Sequence, residues 1–236
     1  LTGAGISKES GLDTFRDAGG IWARHRIEDV ATPEAFARNP RLVQEFYNAR
    51  RRRLLSPDVA PNPAHLALAD LERRWPGAFL LVTQNVDDLH ERAGSRRVVH
   101  MHGELLKVRC SRSGRAYAWR EDVLADTRCA CCGAAGTLRP HVVWFGEMPF
   151  ELDRILEALR NCTLFVAAGT SGQVHPAAGF VQEARWSGGA RTVELNIEPT
   201  EVSPLFDEQV RGPASAVVPA FVERLLASLT PSSPPA

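Results

Sequence analysis

The sequence has no surplus charge of either sign, since 28 lysines and arginines are matched by 28 aspartates and glutamates. A chain that holds nucleic acid or a bilayer surface through its electrostatic field needs a basic excess, so no nucleic-acid or membrane partner is expected. Long apolar runs are also missing: none approaches the roughly 18 residues of a spanning helix, and no secretory signal is visible. Cysteine is scarce and odd in number, with four of the five falling between Cys110 and Cys132. That distribution argues against a disulfide framework and for a metal in a reducing, cytoplasmic compartment. What remains is an ordinary globular composition, 44% hydrophobic over 236 residues, enough for one large domain with a small companion.

Three apolar runs, "AFLLVTQNVDD", "CTLFVAAGTSG" and "RTVELNIEPT", each end in small or polar residues. Buried parallel strands read this way, and in open α/β sheets ligands bind at those carboxyl ends. Helical periodicity separates the runs, as in "PAHLALADLERRW" and "ELDRILEALRN", which predicts an α/β fold with a doubly wound parallel sheet. Two stretches break the alternation and are expected to form a smaller inserted lobe: a helical insertion over 22–78 and a cysteine-rich part over 107–138. The sheet domain then comprises 1–21, 79–106 and 139–230, and the Pro/Ser-rich 231–236 is expected to be a disordered tail. The strand that should feed the first glycine turn is expected to be largely cut away, because that turn opens at Gly3.

That turn, "GAGIS", offers Gly3 and Gly5 but has Lys8 where G-x-G-x-x-G requires its third glycine. A plain strand-to-helix turn explains it equally well. It continues into "GLDTFRDAGGIW", in which Arg16 can face a phosphate. A redox dinucleotide domain would place an acidic residue about 20 positions on, after its second strand; here that region reads as helix. The better acidic candidate is Glu198, beside Asn196 at the end of a late strand, so a nucleotide would be held by several strand ends. In "TQNVDDLH", Gln84, Asn85 and Asp87 crowd one strand end, although a capped helix start is the alternative for any one of them.

In "HMHGEL", His100 and His102 alternate with Met101 and so share a side of an extended segment. Histidine titrates near neutrality and suits a general base, while a structural role is the commoner one. His102, before Gly103 at the junction with the cysteine segment, is the better candidate. Cys129 and Cys132 form an intact C-x-x-C, but Ser113 stands where Cys110 should find its partner. Cys110, Cys129 and Cys132, with Cys131 available as a fourth, would make a structural zinc site; an incomplete site, or none, is the alternative. In "FYNARRRRLL", Tyr47 and Arg50 are spaced i, i+3 on one helix face, a pairing suited to a carboxylate, though a solvated basic helix has the same spacing.

In their order along the chain, "GAGIS", "TFR", "TQNVD", "HMHG", the cysteine cluster, "GTS" and "NIE" resemble the sirtuins, NAD-dependent protein-lysine deacylases. "TFRDAGGIW", "FYNARRRRL", "HMHGELLKVRCS" and "RPHVVWFGEMP" are similar to the bacterial class III (CobB-type) members, and the resemblance spans essentially the whole chain. It implies a Rossmann-type domain with a small zinc-bearing lobe, NAD as a consumed co-substrate, and acylated lysines of proteins as substrates. It implies that NAD lies on Gly3, Ala4, Gly5, Ile6, Ser7, Thr14, Phe15, Arg16 and Trp22. The nicotinamide would sit near Gln84, Asn85, Val86 and Asp87. The adenosine half falls to Gly169, Thr170, Ser171, Asn196, Ile197, Glu198 and Ala214.

The implied chemistry has the amide oxygen of the acyl-lysine attack the nicotinamide ribose, with His102 as general base on the ribose hydroxyls and Asn85 and Asp87 also catalytic. Nicotinamide, free lysine and O-acyl-ADP-ribose result. The substrate backbone would pair with the segment holding Val143, Phe145, Gly146 and Glu147, and Tyr47 and Arg50 match the family's receptor for succinyl and malonyl groups. Asp13 in place of the usual proline, Lys8 in place of a smaller residue, and Ser113 depart from the pattern. A protein ADP-ribosyltransferase and a non-catalytic NAD-binding module stay open as alternatives.

Overall fold

The computed structural model describes residues 1–14 and 25–229. Phe15, Arg16, Trp22 and the 231–236 tail therefore lie outside the described residues. The strands are β1 (Leu81–Thr83), β2 (Val98–His100), β3 (Gly103–Cys110), β4 (Ala116–Ala118), β5 (Leu138–Val142), β6 (Leu164–Ala168), β7 (Arg191–Asn196) and β8 (Glu208–Arg211). The helices are α1 (Ile27–Val30), α2 (Pro33–Arg38), α3 (Pro40–Leu54), α4 (Pro63–Arg74), α5 (Leu89–Arg92), α6 (Leu152–Asn161), α7 (Phe180–Gly188) and α8 (Ala214–Ala227).

β1 pairs with β2, β6 with β7 and β7 with β8, all parallel. Thr2 joins the two halves. Its N–H donates to Val82 O (2.9 Å) and its carbonyl accepts from Gln84 N, while on its other side Gly3 N donates to Ala168 O (3.1 Å). The order is thus β2–β1–Thr2–β6–β7–β8, with Leu1 and Thr2 filling the central place in the sheet. From this position the chain winds both ways, which makes it the switch point where ligands bind in such sheets.

Period-two alternation sends neighbouring strand residues to opposite faces. Leu81 packs with Leu68 and Leu71 of α4 and Val217, Phe221 and Val222 of α8, whereas Val82 packs with Ile155 of α6 and Phe180 and Val181 of α7. Helices therefore cover both faces, as the doubly wound reading requires. None of the helices among the described residues is long and apolar enough to cross a membrane.

The second sheet is antiparallel, in the order β4–β3–β5. Three successive helices open with a polar cap followed by proline, Thr32–Pro33, Asn39–Pro40 and Asn62–Pro63. Each cap side chain accepts a first-turn N–H, from Ala35 (3.0 Å), Leu42 (3.1 Å) and Ala64 (2.9 Å). Within 22–78 the helices go to different cores. Val30 of α1, Ala35 of α2 and Val43, Phe46, Tyr47 and Leu54 of α3 pack in one core with Leu105, Val142 and Trp144, while α4 joins the parallel sheet. A small separate core holds Val108, Cys110, Val123, Cys129 and Leu138.

Candidate active site

The first glycine loop and the loop after β6 meet over Thr2. A Cβ on Gly3 or Gly5 would lie 2.8 Å from Gly169 O, and one on Gly169 (φ +62°) would lie 2.4 Å from Ile6 N. The three glycines are required first by each other: side chains there would push apart the two strand-end loops, which Gly5 N–H···O Gly169 holds at 2.8 Å.

From that seam a directional hydrogen-bond chain runs into the site. Asn62 N–H donates to His65 Nδ1 (3.3 Å), so a neutral His65 carries its proton on Nε2, facing Ser7 Oγ at 3.4 Å. Asn85 Nδ2 also donates to Ser7 Oγ (3.1 Å) and to Gly3 O (3.1 Å). With both lone pairs occupied, the Ser7 hydroxyl gives its proton to Asp87 Oδ2 (3.1 Å), whose other oxygen accepts Leu89 N (3.2 Å). Asn85 and Asp87 are each 7% exposed, and burial pushes the Asp87 carboxyl up, partly offset by the Leu89 and Ser7 hydrogen bonds. The sequence reading missed His65 and His90, two fully buried imidazoles with ring centres 4.9 Å apart behind this cluster. The signal was the N3 position of His65 after the Asn62–Pro63 cap.

Burial lowers the His65 pKa from 6.5 to about 4 and drives that of His90 well down. Between those pH values the unfolded chain binds protons that the folded chain refuses, so stability falls as pH drops through the window. For His65 alone that is ~3 kcal/mol across it. We predict that His65→Gln makes the fall of Tm between pH 6.5 and 4 shallower. An unchanged slope would contradict this.

His100 and His102 both turn Nδ1 toward the 84–85 backbone, to Asn85 O and Gln84 O, each at 3.1 Å. Their far nitrogens separate them. His100 Nε2 is engaged by Glu91 Oε1 at 2.7 Å; burial opposes the charged form, but the Glu91 hydrogen bond and charge outweigh it and raise the pKa. His102 has no such carboxylate, and burial lowers its pKa against the small opposing effect of Gln84 O. With Nδ1–H fixed on a carbonyl, the neutral ring presents an unprotonated Nε2, which has no hydrogen-bond partner among the described residues. Of the two, His102 alone leaves a ring nitrogen without a partner among the described residues.

Toward the other strand ends, Gln84 Nε2 donates to Thr170 Oγ1 (2.9 Å) and Asn196 Nδ2 to Thr170 O (2.7 Å). Ser171 is half-buried beside them, Ile197 is 67% exposed, and Glu198 is also exposed. Ala214 opens α8, whose first turn is already capped by Glu9 through Ser215 N (2.9 Å) and Oγ (2.5 Å). Val86 is half-buried and holds β3 by accepting Leu105 N (2.8 Å). Ala4 and Ile6 form a short 3-10 turn from which Ile6 enters the core.

On α3, Tyr47 is 3% exposed and its oxygen accepts Trp144 Nε1 at 3.0 Å. Arg50 lies over the Tyr47 ring, 5.6 Å from its centre. A phenol that accepts from Trp144 has its own proton left for another group. Burial lowers the Arg50 pKa, opposed by Tyr47 and Asp87, and raises that of Tyr47. Glu147, expected on the substrate, is turned inward: Arg139 grips it twice (2.7 and 2.9 Å) and its Oε2 accepts Trp144 N (2.9 Å). It shapes a turn with Gly146 at φ +89° that leaves Phe145 45% exposed. Val143 N and Phe145 N are taken by His102 O and Ala31 O, so a peptide laid here would meet carbonyl groups and Gly146 N–H.

The sulfurs of Cys110, Cys129, Cys131 and Cys132 all lie within 4.8 Å of one another. Tetrahedral zinc with bonds of about 2.3 Å implies sulfur edges of about 3.8 Å; Cys110–Cys132 spans 3.9 Å and Cys129–Cys131 3.3 Å. Cys131 supplies the fourth thiol, and Ser113 Oγ stands beside it at 3.1 Å.

The model of the Sir2 family matches residues 3–176. The chain belongs to the Sir2 family. It is 61% identical over 229 residues to the NAD-dependent protein deacylase of Salmonella typhimurium, covering 97% of this chain and 84% of that one. A solved Sir2 homolog–NAD complex aligns with a TM-score of 0.88 at 40% identity, over 98% of this chain and 89% of the other. The structure of Sir2Af2 bound to a myristoylated histone peptide aligns at 0.74 and 34% identity, over 96% and 91%.

This Sir2-family site suits a dinucleotide. Gln84 Oε1 and Asn85 Oδ1 have no hydrogen-bond donor among the described residues and flank the glycine seam. The four cysteines can hold a zinc ion, which would tie together the small core around Val108 and do no chemistry.

Proposed function

We propose that this chain is an NAD-dependent protein-lysine deacylase acting on acetyl, malonyl and succinyl groups and releasing nicotinamide and O-acyl-ADP-ribose. The observation that carries the reading is His102: Nδ1–H fixed on Gln84 O, burial opposing the charged ring, and Nε2 without a hydrogen-bond partner among the described residues. Family membership, the likeness to a deacylase and the alignments with NAD- and acyl-peptide-bound Sir2 structures support it.

NAD brings a ribose carbon that can accept the acyl group once nicotinamide leaves. The chain's residues do the rest. Asn85 and Asp87, locked by Ser7, hold the carboxamide N–H groups of the nicotinamide through the acceptors left to them, Asn85 Oδ1 and the open lone pairs of the Asp87 carboxylate. His102 Nε2 removes the proton from a ribose hydroxyl so that it can take the acyl group, and a water molecule supplies the oxygen that replaces the lysine nitrogen on the acyl carbon. Tyr47 and Arg50 hold the distal carboxylate of a succinyl or malonyl chain, and the Val143–Glu147 turn receives the substrate backbone. Gly169, Thr170, Ser171, Asn196, Ile197, Glu198 and Ala214 take the adenosine half.

The test is mass spectrometry of the protein incubated with NAD and acetyl, malonyl or succinyl peptides. Equal amounts of free lysine, nicotinamide and O-acyl-ADP-ribose are expected. Stable ADP-ribose on protein would favour a transferase, and bound NAD without nicotinamide release would leave only a binding module.

A further inference from the structure

Tyr47 and Arg50 each have a C-terminal neighbour that is buried and bonded in another direction. Asn48, 3% exposed, donates Nδ2 to Val123 O (3.0 Å) and accepts Val123 N (2.9 Å), so its carboxamide pairs with that backbone as a strand neighbour would. Arg51, fully buried, donates Nε to Leu105 O (3.1 Å) and Nη1 to both Asn48 Oδ1 (2.9 Å) and Glu121 O (3.1 Å). Next along, Arg52 forms an ion pair with Asp122. Val123 itself packs with Val108, Cys110, Cys129 and Leu138.

Consecutive helical residues are about 100° apart, so 47/50 and 48/51 form two adjoining stripes on α3. One stripe meets Trp144 and has Asp87 within electrostatic reach of Arg50; the other is bonded to the cysteine-rich segment. Each stripe repeats at i, i+3, so the two are interleaved within one helical turn. A guanidinium that donates to carbonyls of β3 and of the 121–123 segment, and to its own helix, fixes both the height and the rotation of α3. Backbone carbonyls cannot shift to follow a misplaced side chain as solvent would, and the donor geometry of arginine is rigid.

We propose that Asn48 and Arg51 are positioning residues that register α3 against the cysteine-rich segment and thereby hold the Tyr47–Arg50 pair at the depth that favours acidic acyl chains. This rests on the reading of Tyr47 and Arg50 as the acyl receptor. The neutral acetyl group makes no contact with that pair's charge and depends less on its placement.

The experiment compares steady-state kinetics on acetyl and succinyl peptides for Asn48→Ala, alone and in a Tyr47→Phe/Arg50→Met background. Asn48→Ala should lower the succinyl-to-acetyl ratio of kcat/KM about tenfold, a misplacement effect. The loss should be carried by KM for the succinyl peptide, with KM for NAD unmoved. In the receptor-less background the same substitution should leave the ratio where it is, because the two changes act through one contact. If Asn48→Ala does not fold, Asn48→Asp, which keeps the acceptor for Val123 N and Arg51, should give an intermediate ratio. Equal losses on both peptides, or independent effects in the two backgrounds, would overturn the proposal. An unaltered ratio in Tyr47→Phe/Arg50→Met itself would instead overturn the receptor assignment beneath it.

Discussion

Replacing His102 with alanine should lower NAD-dependent deacylation by about 10²–10⁴-fold and leave NAD binding, measured by calorimetry, intact. The size follows from what is lost, a base within the site whose working nitrogen is already unprotonated. Gln84 O fixes the tautomer, and burial removes the energetic case for the charged ring. The same features fix the pH response. A lowered pKa keeps the imidazole neutral below its ordinary value of 6.5, so the acid limb of kcat/KM in the wild type should fall below that pH. An acid limb above it would point to His100, whose pKa Glu91 raises. Persistence of full activity in His102→Ala would remove His102 from the mechanism.

The second large effect is expected from Tyr47→Phe combined with Arg50→Met. Desuccinylation should fall about a hundredfold, corresponding to one or two hydrogen bonds to a charged group at roughly 1.5–3 kcal/mol each. Deacetylation should fall much less. The phenol accepts from Trp144, so its own proton is left for a carboxylate, and the guanidinium over its ring supplies the charge. Because Tyr47→Phe also leaves Trp144 Nε1 without its acceptor, Tm must be followed in parallel. Equal losses on both substrates would show that the pair serves packing alone.

The parallel sheet was legible because "LFVAA" is a continuous apolar run and "TVELN" a β-rich one, each ending in small or polar residues, which suits strands covered on both faces. The carboxyl ends of these two strands and of β1 bring Gln84, Asn85, Asp87, Thr170 and Asn196 to one edge of the sheet, as the pattern of strands ending in polar residues implies. The role of Thr2 was not legible, since a single bridging residue leaves no periodic signal; the strand expected to be cut away is represented by Leu1 and Thr2 between β1 and β6. The glycine motif pointed to the right loop with an incomplete reason, as Gly3 and Gly5 are needed against Gly169. Spacing rules undervalued Cys131 because they count positions, whereas a tight turn brings three thiols of "CACC" to one point. Glu147 looked available from sequence, but its partner Arg139 lies across a turn that only the folded backbone creates. His65 and His90 gave little away, because a buried neutral imidazole has no sequence mark apart from its neighbours.

The most direct test of the central claim, that acyl removal proceeds through the ribose of NAD with His102 as base, is a reaction run in water enriched in oxygen-18. The account predicts one heavy atom in the acyl ester of O-acyl-ADP-ribose, formed in step with free nicotinamide and free lysine. Heavy oxygen in a free carboxylate released directly from the peptide, with NAD unconsumed, would contradict it.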